Sequence, residues 1–398
     1  MQDAPMARDV LLTFNPGSST IKLGLFAIED DEAHAFGQGA IDLRHQPLSL
    51  HIEEGDRPLD VPLKAKATDD LHEVIDETLG WLASHFSSDK LVAVAHRVVH
   101  GGDRFEGATR ITDDTLAAIE ALSPLAPLHQ PQSLRLIRAI QKLRPDLPQS
   151  ASFDTAFHRT QSDLVRRFAL PRDLFDEGIK RYGFHGLSYK FIAGRLGRDG
   201  NIGRRVVVAH LGSGASLCGL DGGISRDTSM SFSTLDGIPM ATRPGAVDPG
   251  VLLHLLQQKH MSIDALEDLL YHRSGLLGAS GISADSRELV DSDKPEAWEA
   301  MALFALRVAR EMAAIATTLG GLDAIVFTAG IGEHQPDVRA AIAAHLEWLG
   351  VRIDAEANAA HERRIDAGDS AVAVLVMHTD EEQVIADEAC QVLFDHKS

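Results

Sequence analysis

The chain has 398 residues, more than one hydrophobic core comfortably supports, so two domains are expected. With 44% hydrophobic and 24% charged residues and no long block of like charge, the sequence is typical of a globular protein and not of a disordered one. Its formal net charge of -20 argues against a nucleic-acid or membrane partner, because both bind basic surfaces.

The first predicted element is a hairpin at residues 10–26, VLLTFNPGSSTIKLGLF. Alternation in its second strand assigns Ile21, Leu23 and Leu25 to the core face and Lys22 to the opposite face, where it can meet a ligand. The loop carries adjacent hydroxyls at residues 18–20, and small residues let backbone N–H groups approach an anion. The loop is therefore a candidate phosphate site, with a Ser-rich turn beside a solvated lysine as the alternative.

Residues 205–220, RVVVAHLGSGASLCGL, repeat this design of apolar strand, loop of small residues and apolar strand. The recurrence favours phosphate binding over an ordinary turn. Two such hairpins predict a duplicated fold with a phosphate chain held between the copies.

The remaining elements follow from hydrophobic periodicity. Between the hairpins it predicts helices at 69–86, 113–122 and 131–143, a strand at 91–99, and a strand running into a turn at 149–157. After the second hairpin it predicts helices at 251–259, 262–270, 295–319 and 336–349, and strands at 325–327 and 371–376. A turn is expected at 328–332, and Thr379 with Glu382 is expected to form a capping box for a last helix that reaches Phe394. Strands and helices alternate, so the fold class is α/β, with a domain boundary near residue 155.

Two cysteines, Cys218 and Cys390, exclude a disulfide scaffold or a cysteine zinc site and fit a reducing compartment. The first residues, MQDAPMARDV, lack the apolar core of a signal peptide, and no apolar run is long enough to span a bilayer, so a cytoplasmic protein is expected. The sequence has no GxxxxGKS/T, GxGxxG, HExxH or GxSxG pattern, which disfavours P-loop, Rossmann, zinc-protease and nucleophile-elbow enzymes.

Two arginines are candidates for binding an anion. Arg97 interrupts an apolar strand, and a buried guanidinium suits a carboxylate or a phosphate, although a structural ion pair is the alternative. Arg243 lies in the Pro- and Gly-rich loop 240–250, where a solvated charge is the alternative. Together they could clamp an anionic substrate between the domains.

The other candidates are acids and histidines. His185, beside Gly186, can reach into a cleft and donate to a developing phosphoryl charge, and His129 offers a weaker version of the same signal. Asp154 follows a strand and could bind magnesium, or cap a helix instead; Glu381 could be linked to magnesium, or stabilise the dipole of its helix. The Gly-containing segments 274–287 and 327–334 could hold a nucleoside or be two ordinary turns.

Eleven motifs stand in one order and together resemble the acetokinase family, the acetate kinases of the actin-like, hexokinase-like and sugar-kinase superfamily. They are NPGSSTIK, HRVVHGG, PLAPLHQP, SFDTAFH, RYGFHG, HLGSGAS, DTSMSFSTLDG, ATRPGAVDPG, SGLLGASGISADSR, FTAGIGEH and TDEE. The resemblance covers nearly the whole chain. It implies duplicated actin-like (ribonuclease H-like) βββαβαβα domains with an interdomain cleft, at 1–155 (completed by a C-terminal helix at 384–398) and at 156–383, in a homodimer.

The reaction that the resemblance implies is reversible transfer of the γ-phosphoryl group of ATP to acetate, giving acetyl phosphate and ADP, in line and with Mg2+ (Mn2+ as an alternative). Position by position, it implies catalytic roles for Asp154, His185 and Arg243. It implies that Arg97 binds the carboxylate, that Val99, Leu128 and Phe184 line the acyl pocket, and that Asn15 and Glu381 are linked to the metal. The implied nucleotide-binding set is Lys22, His210, Leu211, Gly212, Ser213, Gly214, Asp285, Ser286, Arg287, Gly330, Ile331, Gly332, Glu333 and His334.

This chain departs from the family pattern at several positions. Ser213, His334 and Asp380 each stand where the family generally has Asn, and Ser231 stands where it has Gly. Thr234 stands where a Pro commonly lines the acyl pocket, so the preference among acetate, propionate and butyrate stays open; one methylene in such a pocket is worth about 1–3 kcal/mol. A non-metabolic actin-like ATPase is a further alternative, but such a protein needs no carboxylate clamp.

Overall fold

The computed structural model describes residues 7–17, 20–43, 47–55, 57–66, 71–200 and 202–394. Ser18 and Ser19, two of the hydroxyls expected to cradle phosphate, lie outside these ranges. The chain divides into two compact units. The N-terminal unit runs to Phe157 and resumes at Asp380, and the C-terminal unit is His158–Thr379.

Strands are numbered in chain order: β1 (Asp9–Pro16), β2 (Thr20–Glu29), β3 (Glu32–Asp42), β4 (Ser49–Glu54), β5 (Arg57–Pro62), β6 (Lys90–Val98), β7 (Thr109–Arg110), β8 (Gln149–Phe153), β9 (Arg205–Leu211), β10 (Ala215–Asp221), β11 (Ile224–Thr228), β12 (Ala324–Thr328) and β13 (Ala373–Val376). The helices are α1 (His72–His85), α2 (Asp113–Ala121), α3 (Gln130–Leu143), α4 (Asp163–Arg166), α5 (Arg172–Asp176), α6 (Gly186–Asp199), α7 (Pro249–Gln257), α8 (Ile263–His272), α9 (Gly275–Ser280), α10 (Ser286–Val290), α11 (Pro295–Leu319), α12 (Ala329–His334), α13 (Pro336–Ala344), α14 (Ala355–Ala359) and α15 (Glu381–Leu393). Short 3-10 turns cover Ser123–Leu125, Asp154–Thr160 and Glu347–Leu349.

The N-terminal unit is built on one sheet in the order β5-β4-β3-β2-β1-β6-β8-β7. β1 to β5 pair as antiparallel neighbours, whereas β6 is parallel to β1 and β8 is parallel to β6. As alternation in β2 predicts, Ile21, Leu23 and Leu25 are buried in the core and Lys22 is exposed on the other face. Helices α1 and α3 pack on the core face, and α15 packs on the face that carries Lys22, against β1, β6 and β8.

The C-terminal unit repeats the central part of this topology with the order β11-β10-β9-β12-β13. β9, β10 and β11 are antiparallel, and β12 is parallel to both β9 and β13. The same succession, three antiparallel strands followed by two parallel ones, holds for β3-β2-β1-β6-β8. The duplication expected from the two hairpins, and the α/β class expected from the alternation of strands and helices, are therefore confirmed.

Three local expectations were wrong. Residues 328–332 were expected to form a turn, but Ala329–His334 is a short helix whose first N–H donates to the Glu333 carboxylate at 2.7 Å. The helix expected at 336–349 ends at Ala344, and Gly350 then adopts φ 84° after a 3-10 turn. The N-cap of α15 is Asp380, whose carboxylate accepts from the Gln383 N–H at 2.9 Å; Thr379 instead donates to Ser188.

Candidate functional site

The carboxyl ends of β1, β6 and β8 carry three polar side chains that meet. Arg97 donates from Nε to both oxygens of Asp154 at 3.1 Å, and from Nη2 to Asp154 Oδ2 at 2.6 Å. Its Nη1 donates to Asn15 Oδ1 at 3.0 Å. Because these strands are parallel neighbours, residues far apart in sequence end at one edge of the sheet.

Burial and neighbouring charges compete in setting the pKa values of this cluster. The side chain of Arg97 is 14% exposed and that of Asp154 is 1% exposed. Burial would lower the pKa of Arg97, but the charges of Asp154 and Glu381 outweigh it, so the pKa is raised and the guanidinium stays charged. For Asp154, burial raises the pKa to about 6, opposed by Arg97 and assisted by Glu381 and Glu388. The Asp154 carboxylate therefore contacts a permanently charged guanidinium, and it becomes protonated when the pH falls below about 6.

Two carboxylates of α15 converge on Asn15. Its Nδ2 donates to Glu381 Oε2 at 2.9 Å and to Glu382 Oε1 at 2.8 Å. The pKa of Glu382 is raised by burial and by the like charge of Glu381, with Lys22 opposing. Sequence reasoning assigned Glu382 only to a capping box and missed its place beside Asn15, although Glu382 stands next to Glu381 in the TDEE motif.

The oxygen types of Glu381 and Asn15 suit a hard divalent cation, and in this structure the Asn15 oxygen accepts a hydrogen bond from Arg97. Amide and carboxylate oxygens are what Mg2+ prefers, and Mg2+ commonly uses one or two carboxylates together with substrate phosphates. Within the described residues, no group of three or more His, Cys, Asp or Glu side chains is arranged to hold a metal. A metal at Asn15 and Glu381 would therefore take its remaining oxygens from water or from substrate phosphates.

The other N-terminal candidates differ in exposure. Lys22 is exposed on β2 and pairs with Asn15 of β1 in the sheet. Val99 is buried at 2% exposure just after β6, whereas Leu128 is 39% exposed. His129 lies at the N-cap position of α3, without a side-chain cap hydrogen bond.

In the C-terminal unit, His185 lies at the start of α6 with φ 56°, a left-handed conformation that is uncommon for a side chain with a Cβ. Its ring stacks on His210 of β9, with centroids 4.4 Å apart and planes 19° from parallel. His185 Nδ1 is 2.8 Å from the Ser216 hydroxyl. The next residue toward the N-terminus, Phe184, is buried, and its carbonyl oxygen is 2.9 Å from His158 Nε2.

Arg243 faces the same loop as His185. A methyl group placed on Gly214 would lie 2.8 Å from Arg243 Nη2 and 3.4 Å from His185 Nε2. Arg243 Nη1 donates to the Thr234 carbonyl at 2.8 Å, and burial lowers the pKa of Arg243. Tyr271 lies close enough for the Arg243 charge to act on it, and it hydrogen-bonds Thr234. The two side chains expected to meet a transferring phosphoryl group thus border one glycine.

The three segments expected to bind nucleotide are neighbours. Thr328 pairs with His210 in the sheet, and a methyl group placed on Gly212 would lie 3.8 Å from Ala329 Cβ. Gln335, just after α12, donates from Nε2 to the Ser286 hydroxyl at 2.6 Å.

Individual members of these segments have defined positions. Asp285 caps α10 and forms an ion pair with Arg287 at 2.6 Å. Glu333 hydrogen-bonds His378. Burial would raise the pKa of Glu333, but its hydrogen bonds to His378 and to the Ala329 N–H, with the charge of His378, lower it overall. Gly214 is half-buried. The exposed members are Ser213, Gly330 and His334, and the buried ones are Leu211, Ile331 and Gly332.

Sequence reasoning also missed Ser216, Ser188 and Tyr189. Ser216 and Tyr189 are both fully buried. The Ser216 hydroxyl contacts His185 and also hydrogen-bonds the Tyr189 hydroxyl. The signal was present, since Ser188 and Tyr189 stand three and four residues after His185, on one face of α6.

The duplicated sheets define a protein of the actin-like fold. The chain belongs to the acetokinase family, whose family model matches residues 10–387. It is 46% identical over 392 residues to an acetate kinase of Rhodopseudomonas palustris, covering 95% of this chain and 97% of the relative, and 44% identical over 382 residues to one of Rhizobium meliloti, covering 95% and 97%.

Solved structures agree. A propionate kinase from Francisella tularensis superposes with a TM-score of 0.87 at 33% identity, covering 96% of this chain and 98% of that one. An acetate kinase from Porphyromonas gingivalis superposes with a TM-score of 0.85 at 32% identity, covering 97% and 100%. In the part of the chain that the structure describes, no helix is long and apolar enough to cross a membrane.

Proposed function

We propose that this protein catalyses reversible transfer of the γ-phosphoryl group of ATP to acetate, giving acetyl phosphate and ADP. Membership of the acetokinase family supports the proposal. The observation that carries it is Arg97, a nearly buried guanidinium at the carboxyl end of β6 that already engages a carboxylate through three hydrogen bonds. The same fork can hold the carboxylate of a small acid.

The acceptor needs little activation. Acetate is ionised at neutral pH, so no protein base has to deprotonate it and no protein nucleophile is required. We assign its charged end to Arg97 and its methyl group to Val99, Leu128 and Phe184. Orientation by Arg97 would aim one acetate oxygen at the γ-phosphorus, which is what phosphoryl transfer chiefly requires.

The transferring group would be met by donors from the C-terminal unit. His185 Nε2 and Arg243 Nη2 both border Gly214, so they can donate to oxygens of one phosphoryl group as charge redistributes. We assign the nucleotide to Lys22 and to the segments at 210–214, 285–287 and 330–334, of which the three in the C-terminal unit are neighbours. Asp154 would keep Arg97 oriented when no acid is bound.

We assign Mg2+ to Asn15 and Glu381, whose oxygens suit it. When bound, the metal would neutralise charge on the nucleotide phosphates. Mn2+, which accepts the same oxygen ligands, is an alternative.

A propionate- or butyrate-preferring kinase is the second candidate, and two observations favour it. A propionate kinase from Francisella tularensis superposes on this chain. Thr234 has a side chain that hydrogen-bonds Tyr271 and a carbonyl that accepts from Arg243, so the acyl specificity of family members with proline there does not transfer directly.

One assay separates these candidates. Purified protein with ATP and Mg2+ is supplied in turn with acetate, propionate and butyrate, and the acyl phosphate is trapped with hydroxylamine. The proposal expects the largest kcat/KM with acetate. A clear preference for propionate would establish the second candidate, and ATP hydrolysis without any trapped hydroxamate would support an actin-like ATPase instead.

The proposal includes a homodimer in the cytoplasm. Helix α7 has the sequence PGVLLHLLQ but no buried residue, and Val251 and Leu253 are 47% and 54% exposed. Such an apolar helix suits a second copy of the chain. Light scattering should report a dimer for the wild type and a monomer for Leu253→Asp, whereas Leu164→Asp, at an 86% exposed position of α4, should stay dimeric.

Both cysteines are free thiols, which is consistent with the reducing environment of the cytoplasm.

A further inference from the structure

The hydroxyl of Ser216 lies between two side chains of the C-terminal unit. It is 2.8 Å from His185 Nδ1 and 2.5 Å from the Tyr189 hydroxyl. Ser216 and Tyr189 are both completely buried. The three groups form a continuous hydrogen-bonded chain that ends on the ring nitrogen of His185 facing away from Gly214.

The direction of this chain follows from acidity. A phenol is a stronger hydrogen-bond donor than an aliphatic alcohol, so Tyr189 donates to the Ser216 oxygen. Ser216 then has its own proton left for His185 Nδ1. An imidazole that accepts at Nδ1 carries its proton at Nε2 when it is neutral.

The Nε2 atom of His185 points toward the loop between β9 and β10. It lies 3.4 Å from the position that a methyl group on Gly214 would take. A phosphoryl oxygen accepts hydrogen bonds and cannot donate them, so only the tautomer with a proton on Nε2 stabilises it there.

The same arrangement recurs on the neighbouring ring. Thr379 donates to the Ser188 hydroxyl at 2.9 Å, and the Ser188 hydroxyl is 2.8 Å from His210 Nδ1. Ser188 and Tyr189 are consecutive residues of α6, so one turn of helix supports both chains. Because the His185 and His210 rings stack at 4.4 Å, positive charges on both rings at once would repel, so at least one ring is neutral and its tautomer is fixed by its hydrogen bonds.

We propose that Ser216 and Tyr189 are positioning residues that hold His185 as a neutral imidazole with its proton on Nε2, ready to donate to the transferring phosphoryl group. The expected effect on kcat rests on the proposed phosphoryl transfer. The tautomer of His185 does not, because it can be measured in the protein without substrate. Neither residue touches substrate; each acts through the orientation and tautomer of His185.

The kinetic test compares Ser216→Ala, Tyr189→Phe and the double variant. We expect Ser216→Ala to lower kcat about 10-fold and Tyr189→Phe about 3-fold, because an interaction made only in the transition state is weakened, while KM for ATP and acetate stays within about twofold. The double variant should equal Ser216→Ala, since both changes break one chain. Ser216→Thr retains a hydroxyl and should restore most of kcat.

A matched control separates positioning from stability. Tyr182→Phe also deletes a buried phenol hydroxyl, which donates to the Gly178 carbonyl at 2.9 Å. It should lower the melting temperature by a similar amount as Tyr189→Phe and leave kcat unchanged. Equal losses of kcat in these two variants would refute the proposal, and Tyr189→Phe keeps it testable if Ser216→Ala does not fold.

Nitrogen NMR of the 15N-histidine-labelled protein tests the tautomer directly. The protein has 19 histidines, so the His185 signals are assigned as those lost in His185→Gln. We expect a protonated Nε2 and a bare Nδ1 in the wild type, and a mixture of tautomers in Ser216→Ala. A protonated Nδ1 in the wild type, or an unchanged tautomer in Ser216→Ala, would overturn the proposal. These spectra need no substrate, so a protein inactive with every short acid would refute the proposed function without deciding this result.

Discussion

Replacing Arg97 with leucine tests the N-terminal site most sharply. Leucine keeps part of the apolar stem but leaves the Asp154 carboxylate, 1% exposed, without its cation. Removing one partner of a buried pair costs about 3–5 kcal/mol in free energy of unfolding, and the residual exposure of Arg97 favours the lower figure. For a unit of this size, about 3 kcal/mol lowers the melting temperature by roughly 6–12 °C.

The same substitution should weaken acceptor binding. A hydrogen bond to a charged group contributes about 1.5–3 kcal/mol, which corresponds to a rise in KM for acetate of roughly 10- to 100-fold. KM for ATP should change less than about twofold, since Arg97 is assigned to the acid and not to the nucleotide. The assay is hydroxamate formation with acetate varied at saturating ATP, and circular dichroism supplies the melting temperature.

Two further proteins make the test decisive. Arg97→Leu combined with Asp154→Leu removes both charges, so it should regain most of the melting temperature while its KM for acetate stays raised. Arg144→Leu removes an exposed arginine, 3.6 Å from Asp146, and should change neither property. If Arg97→Leu raised both KM values equally, or left the melting temperature unchanged, our account of this cluster would be wrong.

Four other outcomes are expected. Burial raises the pKa of Asp154 to about 6, so the folded protein favours the protonated carboxyl, and this contribution to stability is lost as the pH rises from about 4 to 6. In melts at a series of pH values, the wild type should therefore lose stability relative to Asp154→Asn across that range. If the ionised carboxylate is required for activity, kcat/KM falls below about pH 6, and Glu388→Gln moves this fall to lower pH. Gly214→Ala should lower kcat about 10-fold, because its methyl group would displace Arg243, whereas Gly194→Ala, which meets nothing within 4 Å, should keep full activity. Burial raises the pKa of both cysteine thiols to about 12, so a thiol reagent should label only the unfolded protein.

The sequence by itself determined the two hairpins, the main helices and the duplication. Period-two alternation in β2 separated Ile21, Leu23 and Leu25 from Lys22, because the two faces of a strand meet different surroundings. Repetition of the strand-loop-strand design predicted a duplicated fold, which the strand order shared by β3-β2-β1-β6-β8 and β11-β10-β9-β12-β13 confirms. The eleven ordered motifs predicted the family, which the match over residues 10–387 confirms.

Local signals were less reliable where side chains competed for the same backbone. Thr379 and Asp380 are both good N-cap residues, and the sequence could not show that the Thr379 hydroxyl would be drawn to Ser188. Likewise, Gly330 and Gly332 predict a turn, but the Glu333 carboxylate satisfies the N–H of Ala329 and a helix forms.

Only the tertiary structure decided which side chains meet. The sequence offered Arg97 either a ligand or an ion pair, and parallel pairing of β6 with β1 and β8 brought it to Asn15 and Asp154, up to 82 residues away along the chain. The hydrogen bonds that link Tyr189 and Ser216 to His185 join α6 to β10, and no spacing rule connects a helix to a strand when another strand, β9, lies between them. Periodicity records which face of an element is buried, whereas hydrogen-bond partners depend on how elements from distant parts of the chain pack together.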